Sequence, residues 1–483
     1  MTGTGKQKHV AYLHAWSIER LDPLALGDAL RAHGPRVRAV LGSLVRVGQR
    51  LDDALRTPSR IWHARRSDEP AAVIVRLFVL RDRVTALEVE GALGEVGHAL
   101  RDADVLFDDS GHIASRVQLA MSSDAMCFGD WLGPGAILPL GGATMELARV
   151  AGHQPMGRAL DLGCGAGAVA MAMARVATRV VATDIDARAA AFTRFNARLN
   201  RIENIDVREG DLFEPVRGER FDRIAVQPPF HALRPDALPA AFVHGGVRGD
   251  ELALEIIARA PEHLETTGTL LLLADWPMHD GQGLAPTERW KGLASRVHVE
   301  GARVLVLRSP NKDLDEYCTL HAASEHAPNA EPDAFSNAVI AQREHLEALG
   351  VHGIALAWVV LRRDGRGWAS EISVKHPHDA PMTWEHVSRI FAAHDAAHAP
   401  DAELLTARLA KPEGARWVEQ TVGTSEPAVV AHPPAGRPEW PCVLDASFAA
   451  STSALVSTGH PRDATEMAAA RRALLMGALD VLA

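Results

Sequence analysis

The run Ala159-Leu-Asp-Leu-Gly-Cys-Gly-Ala-Gly167 decides how the middle of this chain is read. Apolar residues lead into Asp161, and Gly163, Gly165 and Gly167 then alternate with other residues before an alanine-rich stretch. This pattern predicts a strand, a tight turn and a helix. Glycine suits the turn because it adopts positive φ without strain and lets backbone amides approach a ligand closely. Ligands of open α/β sheets bind at the carboxyl ends of the strands, where such a turn lies.

Outward from this run, short apolar segments alternate with helical ones. Strands are expected at 158–162, 179–183, 205–208, 221–226 and 269–274, with helices at 166–176, 187–200 and 250–263. That alternation implies crossover units and a mainly parallel sheet. Segments 295–299 and 302–307, on either side of Glu300-Gly301, predict a closing antiparallel hairpin.

The glycine turn alone is ambiguous, because Gly165-Ala-Gly-Ala-Val-Ala170 also fits the dinucleotide pattern G-x-G-x-x-G/A. Both readings share an acid at the end of the second strand, Asp184 in Val180-Val-Ala-Thr-Asp184, where a carboxylate accepts hydrogen bonds from ribose hydroxyls. A glycine turn beside a surface aspartate is the plain structural alternative. Two later features separate the readings. Gly210-Asp211-Leu212-Phe213 follows the third strand and carries a carboxylate to where an adenine amino group would lie. Ala225-Val-Gln227-Pro228-Pro229-Phe230 follows the fourth.

Over about residues 130–310 this set resembles the class I S-adenosylmethionine (SAM) methyltransferases, in particular the "small domain" type with an Asn-Pro-Pro-Phe/Tyr motif. That type includes ribosomal-RNA guanine N2 and protein-glutamine N5 enzymes. The stretch Gly210-Asp-Leu-Phe-Glu-Pro-Val-Arg-Gly-Glu-Arg-Phe-Asp222 and the domain preceding the central one are also similar to a group of multi-domain actinobacterial proteins. The resemblance implies a Rossmann-like, seven-stranded, mainly parallel sheet with an antiparallel edge strand. It implies that Asp161, Gly163, Gly165 and Gly167 hold the methionine end of SAM, Asp184 the ribose and Asp211 the adenine, with Leu212 against the purine. Pro139-Leu-Gly-Gly-Ala-Thr144 either closes over the cofactor, as in related enzymes, or is a helix-entry turn.

Position 227 departs from the pattern, which usually has Asn there. In the family the Asn oxygen and the following proline carbonyl accept hydrogen bonds from a planar amino group and aim its lone pair at the SAM methyl. Gln227 keeps the donor and the acceptor, but its extra methylene moves the amide outward by about one carbon–carbon bond, and a shift of that size costs on the order of 100-fold if the partner is unmoved. A differently shaped substrate or a weakened enzyme follows. Pro228, lacking an N–H, stiffens the loop and exposes its carbonyl, and Phe230 either covers the flat face of a substrate or packs. The long segment 231–249 is expected as a lid. Its His231 and His244 are candidate proton acceptors near neutral pH, against the commoner structural role of a lone histidine. Trp276 and His279 are further candidates for the same side. No metal signature is present, so no metal is expected.

The remaining composition bounds these readings. The chain has 483 residues, 47% hydrophobic and 23% charged, as in soluble globular proteins, which suggests two to four domains. Cys127, Cys164, Cys318 and Cys442 form no CxxC pair, which excludes a zinc ribbon or disulfide scaffold and fits a cytoplasmic location. No apolar run reaches membrane-spanning length and the first residues lack a signal-peptide core, so no membrane partner is expected. Net charge is −10, yet residues 1–66 hold 12 Lys+Arg against 5 Asp+Glu, so the rest carries −17. That basic front is a solvated helical surface or a contact for an anionic partner such as RNA. Aromatic residues make up 5%, a poor supply for base stacking.

The domain reading is an N-terminal recognition or accessory domain at 1–125, the SAM-binding domain at 126–320, a linker at 321–335 and a C-terminal accessory domain at 335–483, both flanks α+β. The expected function is SAM-dependent N-methylation of a planar or amide-like nitrogen in a small molecule, peptide or natural product. The alternatives are an RNA or protein-glutamine methyltransferase, a degenerate SAM-binding scaffold and, least favoured, an NAD-dependent oxidoreductase.

Overall fold

The structure, a computed structural model, describes residues 15–44, 56–122, 125–131, 136–235, 244–279, 302–326, 332–363, 367–375, 380–420, 428–439, 442–444 and 446–482. It is a mixed α/β protein built on an eight-stranded sheet. The strands of this sheet are β1 (Met156–Leu162), β2 (Ala177–Asp184), β3 (Ile205–Glu209), β4 (Phe221–Val226), β5 (Leu264–His279), β6 (Ala302–Lys312), β7 (Val351–Arg363) and β8 (Trp368–Ser373). Their order is β8-β6-β7-β5-β4-β1-β2-β3. Strands β2 and β3, β4 and β5, and β6 and β8 pair in parallel, while β7 runs antiparallel to both β5 and β6.

The α/β class and the mostly parallel sheet agree with the sequence reading, but the antiparallel strand lies inside the sheet and there are eight strands, not seven. β7 suits an interior place because Ile354, Ala355 and the run from Ala357 to Leu361 are buried, the pattern of a strand covered on both faces. Segment 302–307 is a strand, but its antiparallel partner is β7; the expected hairpin partner 295–299 lies outside the described residues.

The chain divides into two compact units, Met1–Met145 with Leu160–Arg217, and Glu146–Ala159 with Gly218–Ala483. In the first, helices Pro23–Leu44 and Pro70–Phe78 share one apolar core with α1 (Ala168–Ala174) and α2 (Ala187–Leu199). Phe128 joins them, its ring centroid 5.5 Å from Phe78 and 6.1 Å from Phe195. Arg31 donates to the Leu199 carbonyl at 2.8 Å, satisfying the end of α2. The expected boundary at 125 therefore falls within a continuous core. Part of the basic front serves this packing: Arg60 is buried, and Arg65 pairs with Asp82.

In the second unit β4, β5, β7, β6 and β8 carry helices α3 (Glu251–Arg259), α4 (Leu314–Glu325), α5 (Pro332–Ala348) and α6 (Trp384–His398). Register places Arg223, Thr269, Arg362, Arg303 and Trp368 in one row across these five strands. α6 covers the row with aromatic rings: Trp384 lies 4.0 Å from the Arg223 guanidinium, and Phe391 lies 4.2 Å from that of Arg362. Such stacked cations are attracted by the ring faces. Two strands of the expected C-terminal domain are thus strands of the central sheet, and the boundary near 320–335 is corrected accordingly. Of the expected linker at 321–335, residues 321–325 end α4 and 332–335 begin α5, where Pro332 sits at a position in which its missing N–H costs nothing, and residues 327–331 lie outside the described residues. Among the described residues no helix is long and apolar enough to cross a membrane.

Candidate functional site

In the first unit, β1 ends at Leu162 and the glycine turn follows with φ of +74° at Gly163, +54° at Gly165 and +85° at Gly167. The Gly163 and Cys164 amides donate to the Thr183 carbonyl at 2.8 and 2.9 Å, tying the turn to β2. A Cβ on Gly167 would stand 2.9 Å from Thr193, whereas one on Gly163 or Gly165 would meet nothing within 4 Å. Gly167 is therefore also packed tightly against α2, and Gly163 and Gly165 border open space.

Asp161 is buried and accepts from the Ala170 amide at 2.7 Å. Burial raises its carboxyl to about 7, with the nearby Asp184 charge adding to the effect. Asp184 accepts from the Gly165 amide at 2.8 Å through Oδ2 and from the Asp186 amide at 3.0 Å through Oδ1. Its pKa is also raised, chiefly by burial. A carboxylate offers about four acceptor sites, so Asp184 has capacity for a further donor. The Gly210 amide donates to the Asp184 carbonyl at 2.9 Å and brings the next loop alongside. There Asp211 is exposed, and Leu212 is half-buried with φ +44°, a left-handed conformation unusual for a branched side chain. Thr193, which sequence reasoning passed over, donates to the Gly165 carbonyl at 2.9 Å.

The structure thus brings Asp161, Gly163, Gly165, Gly167, Asp184, Asp211 and Leu212 into one connected set of loops. Segment 139–144 is a helix entry, where the Met145 amide donates to the Gly141 carbonyl at 2.9 Å at the start of helix Gly142–Ala151.

In the second unit, loop 227–230 follows β4, with Pro228 buried and Gln227 and Phe230 half-buried. His231 and His244 are register partners in a short parallel pairing of His231–Ala232 with His244–Gly246. The described parts of segment 231–249 therefore form a clasp on the loop, and residues 236–243 lie outside the described residues. A Cβ on Gly245 would lie 2.5 Å from the Pro229 carbonyl oxygen, and one on Gly249 2.5 Å from that of Phe230. Glu251 at the start of α3 accepts from the Arg248 and Gly249 amides, each at 3.0 Å, and fixes the far end of the clasp.

Burial, with His244 and Lys312 nearby, holds His231 down at about 3. A neutral imidazole with so low a pKa is a weak base, so the expectation of a proton acceptor near neutral pH is narrowed to strongly acidic donors. Trp276 is buried within β5. Tyr317, His321, Lys312 and Asp275 gather around His231 and were absent from the sequence reading. The available signal was the four-residue spacing of Tyr317 and His321, which puts both on one helix face, in and beside the stretch read as a linker. Among the described residues no group of three or more His, Cys, Asp or Glu could hold a metal.

The first four strands of the sheet thus end in a glycine turn, three acids and a Pro-Pro loop. Residues 142–284 match the family model described as Methyltransferase small domain. The release factor glutamine methyltransferase of Xylella fastidiosa (strain Temecula1) is 36% identical over 135 residues, 26% of this chain and 49% of that protein. The ribosomal RNA small subunit methyltransferase C of Alcanivorax borkumensis is 30% identical over 136 residues, 28% of this chain and 38% of that protein. The chain spans about half the length, or less, of these curated relatives. Among solved structures, Trm5b of Pyrococcus abyssi is 20% identical with a TM-score of 0.32, over 52% of this chain and 58% of that one.

The match to the family model implies S-adenosyl-L-methionine as cofactor, and the residues fit it. The open space beside Gly163 and Gly165, the further acceptor capacity of Asp184 and the half-exposed Leu212 are features a nucleoside can use.

Proposed function

We propose that the chain methylates a planar or amide-like nitrogen of a small molecule, peptide or natural product, with SAM as donor. The observation that carries this reading is that the match over 142–284 runs through both the glycine turn and Gln227-Pro-Pro-Phe230. When bound, the cofactor supplies a methyl group activated by its sulfonium. The protein's contribution is then chiefly positioning. Asp161 and Gly163, Gly165 and Gly167 hold the methionine end, Asp184 the ribose, Asp211 the adenine amino group and Leu212 the purine face. Gln227 Oε1 and the Pro228 carbonyl accept the N–H groups of the acceptor, and Phe230 lies over its flat face. Methyl transfer to a neutral amide or ring-amine nitrogen forms an N-protonated cation, which is a strong acid, so neutral His231 can take its proton and leave the neutral methylated product, whereas an alkylammonium would keep its proton. His244, the register partner of His231, helps keep that ring neutral.

A protein-glutamine or RNA acceptor is the second reading, favoured by the names of the relatives. Against RNA stands the use of Arg31, Arg60 and Arg65 of the basic front in intramolecular contacts. Incubation of the full chain with methyl-labelled SAM and separate RNA, protein and small-molecule fractions tests the reading. Label is expected on nitrogen in the small-molecule or peptide fraction; label only in RNA or intact protein selects the second reading, and none in any fraction refutes both.

A further inference from the structure

Tyr317 and His321 lie one helical turn apart on α4, and both rings meet His231. The His231 and His321 centroids are 3.4 Å apart, and Tyr317 stands 4.0 Å from His321 and 6.0 Å from His231. Phe230 joins from the Pro-Pro loop, 5.1 Å from His231 and 6.5 Å from His321. Tyr317 is buried, while Phe230, His231 and His321 are half-buried. The fully charged groups acting on this cluster offset each other: Lys312 Nζ lies 2.7 Å from both carboxylate oxygens of Asp275.

We propose that Phe230, His231 and His321, backed by Tyr317, form the acceptor-contacting wall and select an uncharged flat acceptor over charged molecules of the same shape. The inference rests on the methyltransferase reading and names the substrate class that its acceptor side admits. Burial keeps both imidazoles neutral and the Tyr317 phenol protonated. A carboxylate or amidinium brought against such a wall loses hydration without gaining a counter-charge, because Lys312 and Asp275 are already matched. An uncharged amide keeps the stacking area and has little hydration to lose. Selection here works by exclusion of the wrong charge.

The test uses the full chain saturated with S-adenosylhomocysteine and labelled at histidine for NMR. The probes are benzamide, benzoate and benzamidinium, which share one shape and differ in charge. Benzamide is expected to move the His231 and His321 signals and to bind at least about tenfold more tightly than either ion, a difference of about 1.4 kcal/mol. His321→Phe should keep that ranking, and His321→Asp should reverse it in favour of benzamidinium. If His321→Asp fails to fold, His321→Phe and the wild-type ranking decide. Benzoate or benzamidinium binding as tightly as benzamide would overturn the proposal, and so would benzamide leaving both imidazole signals unmoved. Failure of S-adenosylhomocysteine itself to bind would instead strike the methyltransferase reading.

Discussion

Gly245→Ala probes the clasp that holds the Pro-Pro loop. The added Cβ would sit 2.5 Å from the Pro229 carbonyl oxygen and closer still to that of Gly249, where ordinary contact begins at 3.4 Å. Relief requires a shift of about 0.9 Å at Pro229 and about 1.2 Å at Gly249, because both neighbours are backbone. A misplacement of about 1 Å at a reacting centre costs on the order of 100-fold in turnover. The overpacking itself should cost about 1–3 kcal/mol of stability. Methyl transfer from labelled SAM should therefore fall about 100-fold, while calorimetry shows S-adenosylhomocysteine affinity within about threefold of wild type, the glycine turn being untouched. Gly91→Ala is the control: it lies inside helix Ala86–Leu93 with nothing within 4 Å of its Cβ, and should leave transfer unchanged. Full activity in Gly245→Ala, with the protein folded, would refute the view that the clasp sets the position of the acceptor loop.

Asp184→Ala should weaken S-adenosylhomocysteine binding by on the order of 10- to 100-fold in calorimetry, since it removes the ribose acceptor and the charge-assisted bonds to the Gly165 and Asp186 amides. Asp161 supplies a pH test. Its folded pKa is raised from 3.8 to about 7, so its stabilising share is present below about 4 and is lost as pH rises to about 7. Thermal unfolding of Asp161→Asn should then decline less than wild type across that window, by at most about 4 kcal/mol, and parallel curves would contradict the shift. Gln227→Ala should lower turnover by roughly 5- to 150-fold with SAM affinity unchanged. Gln227→Asn should be equally poor if the longer side chain fits its acceptor, and better than wild type if the protein has lost efficiency.

Local pattern made much of the cofactor half legible. Asp161, the glycines, Asp184 and Asp211 sit at strand ends that apolar runs and turn residues mark within a few positions. The place of β7 was not legible, because pairing of Val351–Arg363 with strands far back in the chain leaves no local signal beyond its apolar content. Within the stretch read as a linker, Pro332 carries an ambiguous signal, since proline punctuates loops and also opens helices, and here it opens α5. The ring wall was hidden for the same cause, since Tyr317 and His321 become a helix face only once the stretch through 325 is helical. Gly245 read as part of a lid, whereas its close approach to Pro229 is a contact between segments that no spacing discloses.

The central claim is that the glycine turn with Asp184 and Asp211 is a site for S-adenosylmethionine. Calorimetry of the full chain against S-adenosylhomocysteine and against NAD, with Gly165→Val as the blocked-turn variant, tests it most directly. Saturable binding of S-adenosylhomocysteine, no binding of NAD and loss of the signal in folded Gly165→Val is the predicted result. Binding of NAD in place of S-adenosylhomocysteine, or equal affinity in Gly165→Val, would contradict it.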